Sequence, residues 1–118
     1  MENGNISDSQ ITASSKHTNR HAASQARLHY QGGYNGGAIF AGSWSARGND
    51  VEPWLQVDFR EKVTVVKVAT QGRFDADQWV ESYSLSYSQD GTHFVVYKQF
   101  GEVKVGYSFT AWSFYHIR

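Results

Sequence analysis

The length, composition and charge of the chain limit what it can be. Its 118 residues are enough for one hydrophobic core and too few for two domains that each bury a core. Eleven Lys and Arg balance eleven Asp and Glu, so we expect no nucleic acid as a partner. No apolar run reaches the roughly 20 residues that a transmembrane segment needs. Without cysteine there is neither a disulfide framework nor a thiolate metal site.

Alternating patterns predict strands along much of the chain. In Ser82–Ser88 large residues alternate with serine, which predicts one face towards a core and one towards water. An Asp90-Gly91 turn signal and the apolar stretch His93–Lys98 follow, and together they predict a hairpin. Two further strands are predicted for Trp54–Phe59, which alternates, and for Val63–Ala69, which is rich in β-branched residues. This spacing favours an antiparallel all-β sandwich or barrel.

A glycine-rich stretch interrupts these patterns. Six of the eleven glycines fall between Gly32 and Gly48. Because structured-looking sequence flanks the stretch on both sides, we predict a long loop there rather than an interdomain linker. Helix is expected to be confined to a turn or two near Ala22 to Leu28.

Five segments occur in a characteristic order along the chain. They are residues 2–15, which include ISDSQITASS, and WSA, WLQVDF, VATQGR and WVESYSLSYSQDG, which begin at Trp44, Trp54, Val68 and Trp79. In this order and spacing they resemble the discoidin domain, also called the coagulation factor V/VIII C-type domain. The resemblance implies an antiparallel jelly-roll β-sandwich of about eight strands, whose loops at one end form a binding surface. It also implies an extracellular protein, secreted or at the cell surface, that binds glycans, phosphatidylserine-type head groups, collagen or other proteins.

The chain departs from that family at its C-terminal end. We treat residues 1–118 as one domain in which residues 1–100 are family-like, and both cysteines usual in the family are missing. The tail, residues 101–118, does not match the expected closing segment, but its residues 103–111 alternate and predict an extra strand. A jelly roll without its last strands leaves an open sheet edge. We therefore expect the tail to cover this gap, and a homodimer formed by exchange of the tail is one version of that hypothesis.

Three loops, residues 16–21, 31–43 and 72–78, are the predicted binding surface. In the first loop Lys16 and Arg20, with Arg27 nearby, offer charge and hydrogen-bond donors that suit sulfate, phosphate or carboxylate groups. Lectin sites pair an exposed aromatic ring with planar polar side chains, and the Gly-rich second loop offers two aromatics. An ordinary solvated loop is the alternative interpretation of each. The predicted ligand-binding residues are Lys16, His17, Arg20, Tyr34, Phe40, Arg73, Asp75 and Asp77.

A few other residues are considered as metal ligands or as core residues. Asp75 and Asp77, with Asn49-Asp50 expected nearby, could contribute oxygens to a calcium ion, although a solvated loop is the simpler interpretation. His17 and His21 lie four residues apart, a spacing that favours a shared metal only on a helix. The metal ligands are otherwise unknown. Three tryptophans at positions that usually pack in the family, Trp44, Trp54 and Trp79, are expected in the core.

The motifs of the common enzyme classes are missing. There is no cysteine nucleophile, His-Glu-x-x-His zinc motif, phosphate-binding glycine loop or Gly-x-Ser-x-Gly elbow. We therefore expect a non-catalytic module that binds carbohydrates in adhesion or recognition. Two alternatives remain open at this point. The first is binding to the surface of anionic phospholipid membranes, against which the lack of apolar residues in the first loop counts. The second is a protein-interaction module for collagen or for its own copies.

Overall fold

The computed structural model describes residues 5–80, 82–99, 102–103, 109–111 and 114–117. Strands predominate in these residues, and the regular helix among them is limited to three short 3-10 turns. One of these turns, Ala23–Gln25, accounts for the helix expected near residues 22–28. The strands are β1 (Ile11–Ala13), β2 (Gly33–Asn35), β3 (Ala38–Phe40), β4 (Leu55–Asp58), β5 (Val63–Val65), β6 (Leu85–Ser88), β7 (Val95–Val96), β8 (Lys98–Gln99), β9 (Glu102–Val103), β10 (Phe109–Ala111) and β11 (Phe114–Ile117).

The largest sheet has five antiparallel strands in the order β1-β4-β11-β6-β7. In β1 and β4, Ile11 lies opposite Val57, and both side chains are about 95% buried, with 4% and 5% of their surface exposed. In β6, Leu85 is 1% exposed. The alternating apolar residues of the predicted strands therefore do form the buried face, as period-2 patterning requires.

A second layer packs on this sheet. Val57 and Leu85 form the centre of the core, and partly buried residues surround it, among them Val65 of β5. Strand β5 pairs with β10 in a separate two-stranded sheet, with Val65 opposite Phe109. The domain is thus an all-β sandwich, as predicted.

The hairpin predicted around Asp90-Gly91 is confirmed, because β6 and β7 pair antiparallel with Tyr87 opposite Val95. The expectation that its serines face water is wrong for Ser86 and Ser88, which are 5% and 2% exposed. Ser88 is buried because its hydroxyl organises the turn. Its Oγ donates to Asp90 Oδ1 over 3.0 Å and accepts from the Gly91 backbone N–H over 2.9 Å.

The strand predicted for Val63–Ala69 is shorter than expected. It ends at Val65, and Val66 is 68% exposed. The three residues of β5 pair with the three described residues of β10. β-Branched composition therefore predicted the strand but not its end.

The glycine-rich stretch is not a long irregular loop but a β-hairpin. Strands β2 and β3 pair antiparallel, and Gly36 and Gly37 connect them with φ values of 57° and 87°. Positive φ at both central residues is the requirement of a type I′ turn, which matches the twist of the flanking strands. Tyr34 and Ile39 lie opposite each other across this hairpin, so their side chains share a face.

The C-terminal tail contributes strands within the same chain. Strand β11 lies between β4 and β6 and pairs with both, with Tyr115 opposite Val57 on one side and Tyr87 on the other. The alternation over residues 103–111 falls partly on β10, whereas residues 104–108 lie outside the described residues. The tail therefore fills the gap in the sheet in cis, and exchange of the tail between two chains stays a prediction.

We expect Gly42→Ala to destabilise the domain and loosen the base of the β2–β3 hairpin. Gly42 has a φ of 66°, and a Cβ added there would lie 2.2 Å from the Gly32 backbone nitrogen. An unfavourable φ alone costs about 1–3 kcal/mol, and the steric clash adds to it. Urea denaturation would measure the change.

Gly48→Ala is the matched control, because a Cβ at Gly48 meets no atom within 4 Å and its φ is not positive. It should be neutral or stabilising by about 0.4–1 kcal/mol. Equal stability of the two variants would contradict this account of the hairpin base.

Candidate functional site

The three predicted loops meet at one end of the sandwich. The first loop contacts the end of β3, because the Ala41 N–H donates to the Arg20 carbonyl over 3.0 Å. It also contacts the following segment, where the His17 N–H donates to the Ser45 carbonyl over 2.7 Å. His21 is close enough to Arg73 of the third loop for the two charges to interact. The resemblance to discoidin domains correctly predicted that these loops form one surface.

The Asp50 carboxylate connects two segments at this end of the sandwich through hydrogen bonds. Its Oδ2 accepts from the Ser14 hydroxyl over 2.6 Å and from the Ser15 hydroxyl over 2.5 Å. Each serine oxygen is used again, since Ser14 Oγ accepts from the Trp54 N–H and Ser15 Oγ from the Arg47 N–H, both over 3.0 Å. The hydrogen bonds from Ser14 and then Ser15 lower the pKa of Asp50, because they favour the ionised carboxylate. The end of β1 and the segment leading into β4 are thereby held as one unit.

The third loop is closed by its own hydrogen bonds. The Arg73 N–H donates to the Gln78 carbonyl over 2.8 Å, and the Arg73 guanidinium donates to Gln78 Oε1 over 3.1 Å. The same guanidinium pairs with both Asp75 oxygens, over 2.5 Å and 3.3 Å. Hydrogen bonding to Arg73 lowers the pKa of Asp75. A loop fixed in this way is organised before any ligand arrives.

An open groove of about 610 Å³ lies between the third loop and the segment that begins at Ser43. Its walls combine two tryptophans with planar or charged polar side chains. Trp44 forms one wall, and its Nε1–H donates to the Ser15 carbonyl over 2.9 Å, which fixes the ring. The lining residues of greatest chemical interest are Trp44, Gln71, Arg73, Asp77, Gln78 and Trp79.

The expectation that Trp79 belongs to the core is wrong. Its side chain is 65% exposed and lines the groove. Trp44 and Trp54 are only partly buried. The sequence alone did not predict the exposure of Trp79, because an aromatic residue suits a core and a binding groove equally well.

The two histidines of the first loop are stacked edge to face. Their ring centroids lie 5.5 Å apart, and His21 Nδ1 is 2.9 Å from Thr18 Oγ1. Burial lowers the pKa of His21, and the positive charge of Arg73 adds to this effect. The part of the chain that the structure describes contains no group of three or more His, Cys, Asp or Glu side chains placed to hold a metal ion.

The structure brings some of the predicted site residues together and separates others. Arg73 and Asp77 line the groove, whereas Asp75 engages Arg73 beside it. Tyr34 is 76% exposed as predicted but lies out on the hairpin. Phe40, expected to be exposed, is only partly so, and its neighbour Ile39 is 50% exposed instead. Successive side chains of a strand point to opposite faces, so Ile39 and Phe40 lie on opposite faces of the hairpin. The remaining predicted residues, Lys16, His17 and Arg20, are exposed on the first loop.

Sequence reasoning missed several residues of this end of the molecule. Trp79 and Gln78 line the groove, and Phe74 is 64% exposed at the tip of the third loop. One signal was available for the pairing of Arg73, because an aspartate two residues after an arginine in a loop lies within easy reach of its guanidinium. No sequence signal distinguished Trp79 from a core residue.

An all-β sandwich that presents a preformed groove and projecting loops at one end is a recognition module. Family-model comparison identifies the particular class, because residues 10–115 match the model of the F5/8 type C domain. The chain therefore belongs to the F5/8 type C family, which is the discoidin family of the predicted resemblance. The match extends beyond residue 100, where the family-like part was expected to end. Domains of this family are non-enzymatic recognition modules.

Curated relatives agree with this assignment. The chain is 42% identical to coagulation factor VIII of Homo sapiens over 110 residues, which cover 89% of the chain and 4% of that protein. It is 37% identical to the EGF-like repeat and discoidin I-like domain-containing protein 3 of Mus musculus over 105 residues, which cover 83% of the chain and 20% of that protein. The chain thus spans a small part of each relative. The domain is extracellular, as the resemblance implied. Among the described residues, no helix is long and apolar enough to cross a bilayer.

We expect Asp50→Asn to lower the melting temperature near neutral pH, because the amide is a weaker acceptor for Ser14 and Ser15 than the carboxylate. The pKa of Asp50 is lower in the folded state than its ordinary 3.8, so its contribution to stability is present above pH 3.8 and is lost as the pH falls below that value. The difference in melting temperature between the two proteins should therefore close in acid. Thermal unfolding followed by circular dichroism across this pH range would measure it.

Glu61→Gln is the control, since Glu61 is exposed and the described residues show no hydrogen bond to its side chain. It should not change the melting temperature at any pH. A pH-independent effect of Asp50→Asn would contradict the role assigned to the charge.

Proposed function

We propose that this domain is a carbohydrate-recognition module that binds a cell-surface or microbial glycan in the groove between Trp44 and Trp79. A sugar presents apolar ring faces and hydroxyl edges, and it needs an aromatic surface beside groups that donate and accept hydrogen bonds. The groove offers both within one open concavity. The non-catalytic character of the family is consistent with binding that makes and breaks no bond.

The observation that supports this proposal best is the exposure of Trp79. Its side chain is 65% exposed and lines the groove, so a large aromatic surface is open to a ligand there. It stands beside Gln78, whose Oε1 accepts from Arg73. The Nε2 group of Gln78 has no hydrogen-bond partner among the described residues, so it is available to a hydroxyl.

We expect Trp79→Ala to reduce the affinity for a bound glycan about fivefold to tenfold, because one aromatic contact is worth on the order of 1 kcal/mol. A glycan array would first select a ligand, and calorimetry would then measure its affinity for both proteins. Because Trp79 is exposed, its loss should leave the melting temperature nearly unchanged.

Val66→Ala provides the matched control, since Val66 is also exposed, at 68%, and does not line the groove. Its affinity should equal that of the unmodified domain. If the array found no sugar, or if Trp79→Ala bound as well as the control, the groove would not be a glycan site.

One further observation favours binding to a phospholipid surface as a second candidate. The first loop carries no apolar tip, but the hairpin does, because Tyr34 and Ile39 share a face and are 76% and 50% exposed. Phe74 projects from the third loop with 64% of its side chain exposed. Apolar side chains at loop tips bind membranes by inserting into the interface, and Lys16 and Arg20 would add attraction to anionic head groups.

The two candidates make opposite predictions for Ile39→Ser. Membrane attachment through the hairpin should weaken about tenfold or more, since burial of such a side chain is worth roughly 1.5–3 kcal/mol. Glycan affinity should be unchanged, because Ile39 does not line the groove. Sedimentation with vesicles containing phosphatidylserine would measure attachment, and Val66→Ser would be the control. Unchanged sedimentation of Ile39→Ser would exclude the hairpin as a membrane anchor.

A further inference from the structure

We propose that the groove selects ligands that carry an ammonium group, and in particular amino sugars whose nitrogen is not acetylated. This inference rests on the proposed glycan function and specifies the chemical class of its ligand. It follows from the balance of charge in the groove and from the aromatic walls beside that charge.

The charge of the groove is set by one carboxylate. Arg73 and Asp77 are the two charged residues among its lining side chains. Asp75, which does not line the groove, pairs through both oxygens with the Arg73 guanidinium, so Arg73, Asp75 and Asp77 together carry one net negative charge. Within the described residues, no hydrogen bond or ion pair is shown for the Asp77 carboxylate, which is exposed. The groove therefore presents a net negative charge to a ligand.

The aromatic walls of the groove also favour binding of a cation. Trp44 and Trp79 line the same groove as Asp77, and the face of an indole attracts a cation through its quadrupole. Because its indole N–H is held by the Ser15 carbonyl, Trp44 keeps its orientation when a ligand enters. A carboxylate beside two indoles is the combination that recognises ammonium groups, whereas a sialic or uronic acid would meet the unpaired charge of Asp77 and be repelled.

The basic residues of the first loop do not alter this selection. Lys16 and Arg20 are exposed and do not line the groove, so solvent and salt screen their fields. His17 and His21 lie on the same loop, where burial and the charge of Arg73 lower the pKa of His21 and favour its neutral form. Near neutral pH the group nearest to a ligand with a full, uncompensated charge is Asp77.

Calorimetry at mildly acidic pH, where the amino groups of glucosamine oligomers are protonated, would test this with three oligosaccharide probes. Glucosamine oligomers carry the ammonium group, N-acetylglucosamine oligomers are neutral, and galacturonic acid oligomers are anionic. We expect the glucosamine oligomers to bind most tightly and the anionic oligomers not to bind. Asp77→Asn should weaken binding of the glucosamine oligomers about threefold to fivefold, the effect of losing one exposed ion pair, and leave binding of the neutral oligomers unchanged.

Asp77→Glu is the matched control, because it keeps the charge and should restore most of the affinity. Added salt should weaken binding of the glucosamine oligomers alone. Equal affinity of the charged and neutral oligomers, or no effect of Asp77→Asn, would overturn the inference while leaving the glycan function in place. Failure of every sugar to bind would overturn the glycan function itself. Phosphatidylcholine vesicles test the lipid source of the same chemistry, and Asp77-dependent binding to them without any sugar binding would assign the ammonium site to a head group.

Discussion

The end of the sandwich where the three loops meet depends on a single carboxylate that accepts hydrogen bonds from two serines. Asp50 accepts from Ser14 and Ser15, where β1 ends, and these hydroxyls in turn accept the backbone N–H groups of Arg47 and Trp54. The chain between Arg47 and Trp54 has no regular secondary structure of its own to support it. Side-chain hydrogen bonds therefore replace a sheet ladder there. Pro53, which lines the groove, lies between these two residues, and the charged Asp50 acceptor makes the two serine hydrogen bonds stronger than a neutral acceptor would.

Ion pairs elsewhere in the domain also offset charges within the chain, and this limits which ligands can be attracted from a distance. Arg73 is held by Asp75, and Arg27 donates to Asp8 over 2.6 Å. The formal charge of the chain is zero, so no long-range field draws a ligand in. Recognition must then come from contacts made at short range, by ring faces and hydrogen-bonding groups. A lone carboxylate such as Asp77 has more influence in such a setting than it would in a strongly charged groove.

The sequence predicted the parts of the fold in which local pattern and final environment agree. Alternation found β4 and the β6–β7 hairpin, because the side-chain period of a strand is fixed by its backbone. It assigned Ser88 to the solvent face, since nothing in the alternation reveals that a hydroxyl will cap the following turn. The resemblance to a known family supplied the convergence of the three loops, which composition could not. The exposure of Trp79 escaped both approaches, because an aromatic residue suits a core and a binding groove equally well.

The two candidate functions use different parts of the same end of the domain. The groove and the hairpin are held in place by different contacts. The groove is built from a closed loop and a pinned segment, so a ligand there pays little to order the protein. The β2–β3 hairpin is held at its base, by the contact of Ala41 with Arg20 and by the packing of Gly32 against Gly42, and its Tyr34 face is free of the groove. A rigid groove suits a small ligand of defined shape. A projecting apolar hairpin suits a lipid membrane, into which its side chains can insert. Because neither element supports the other's contacts, a glycan in the groove leaves the hairpin face available to a membrane.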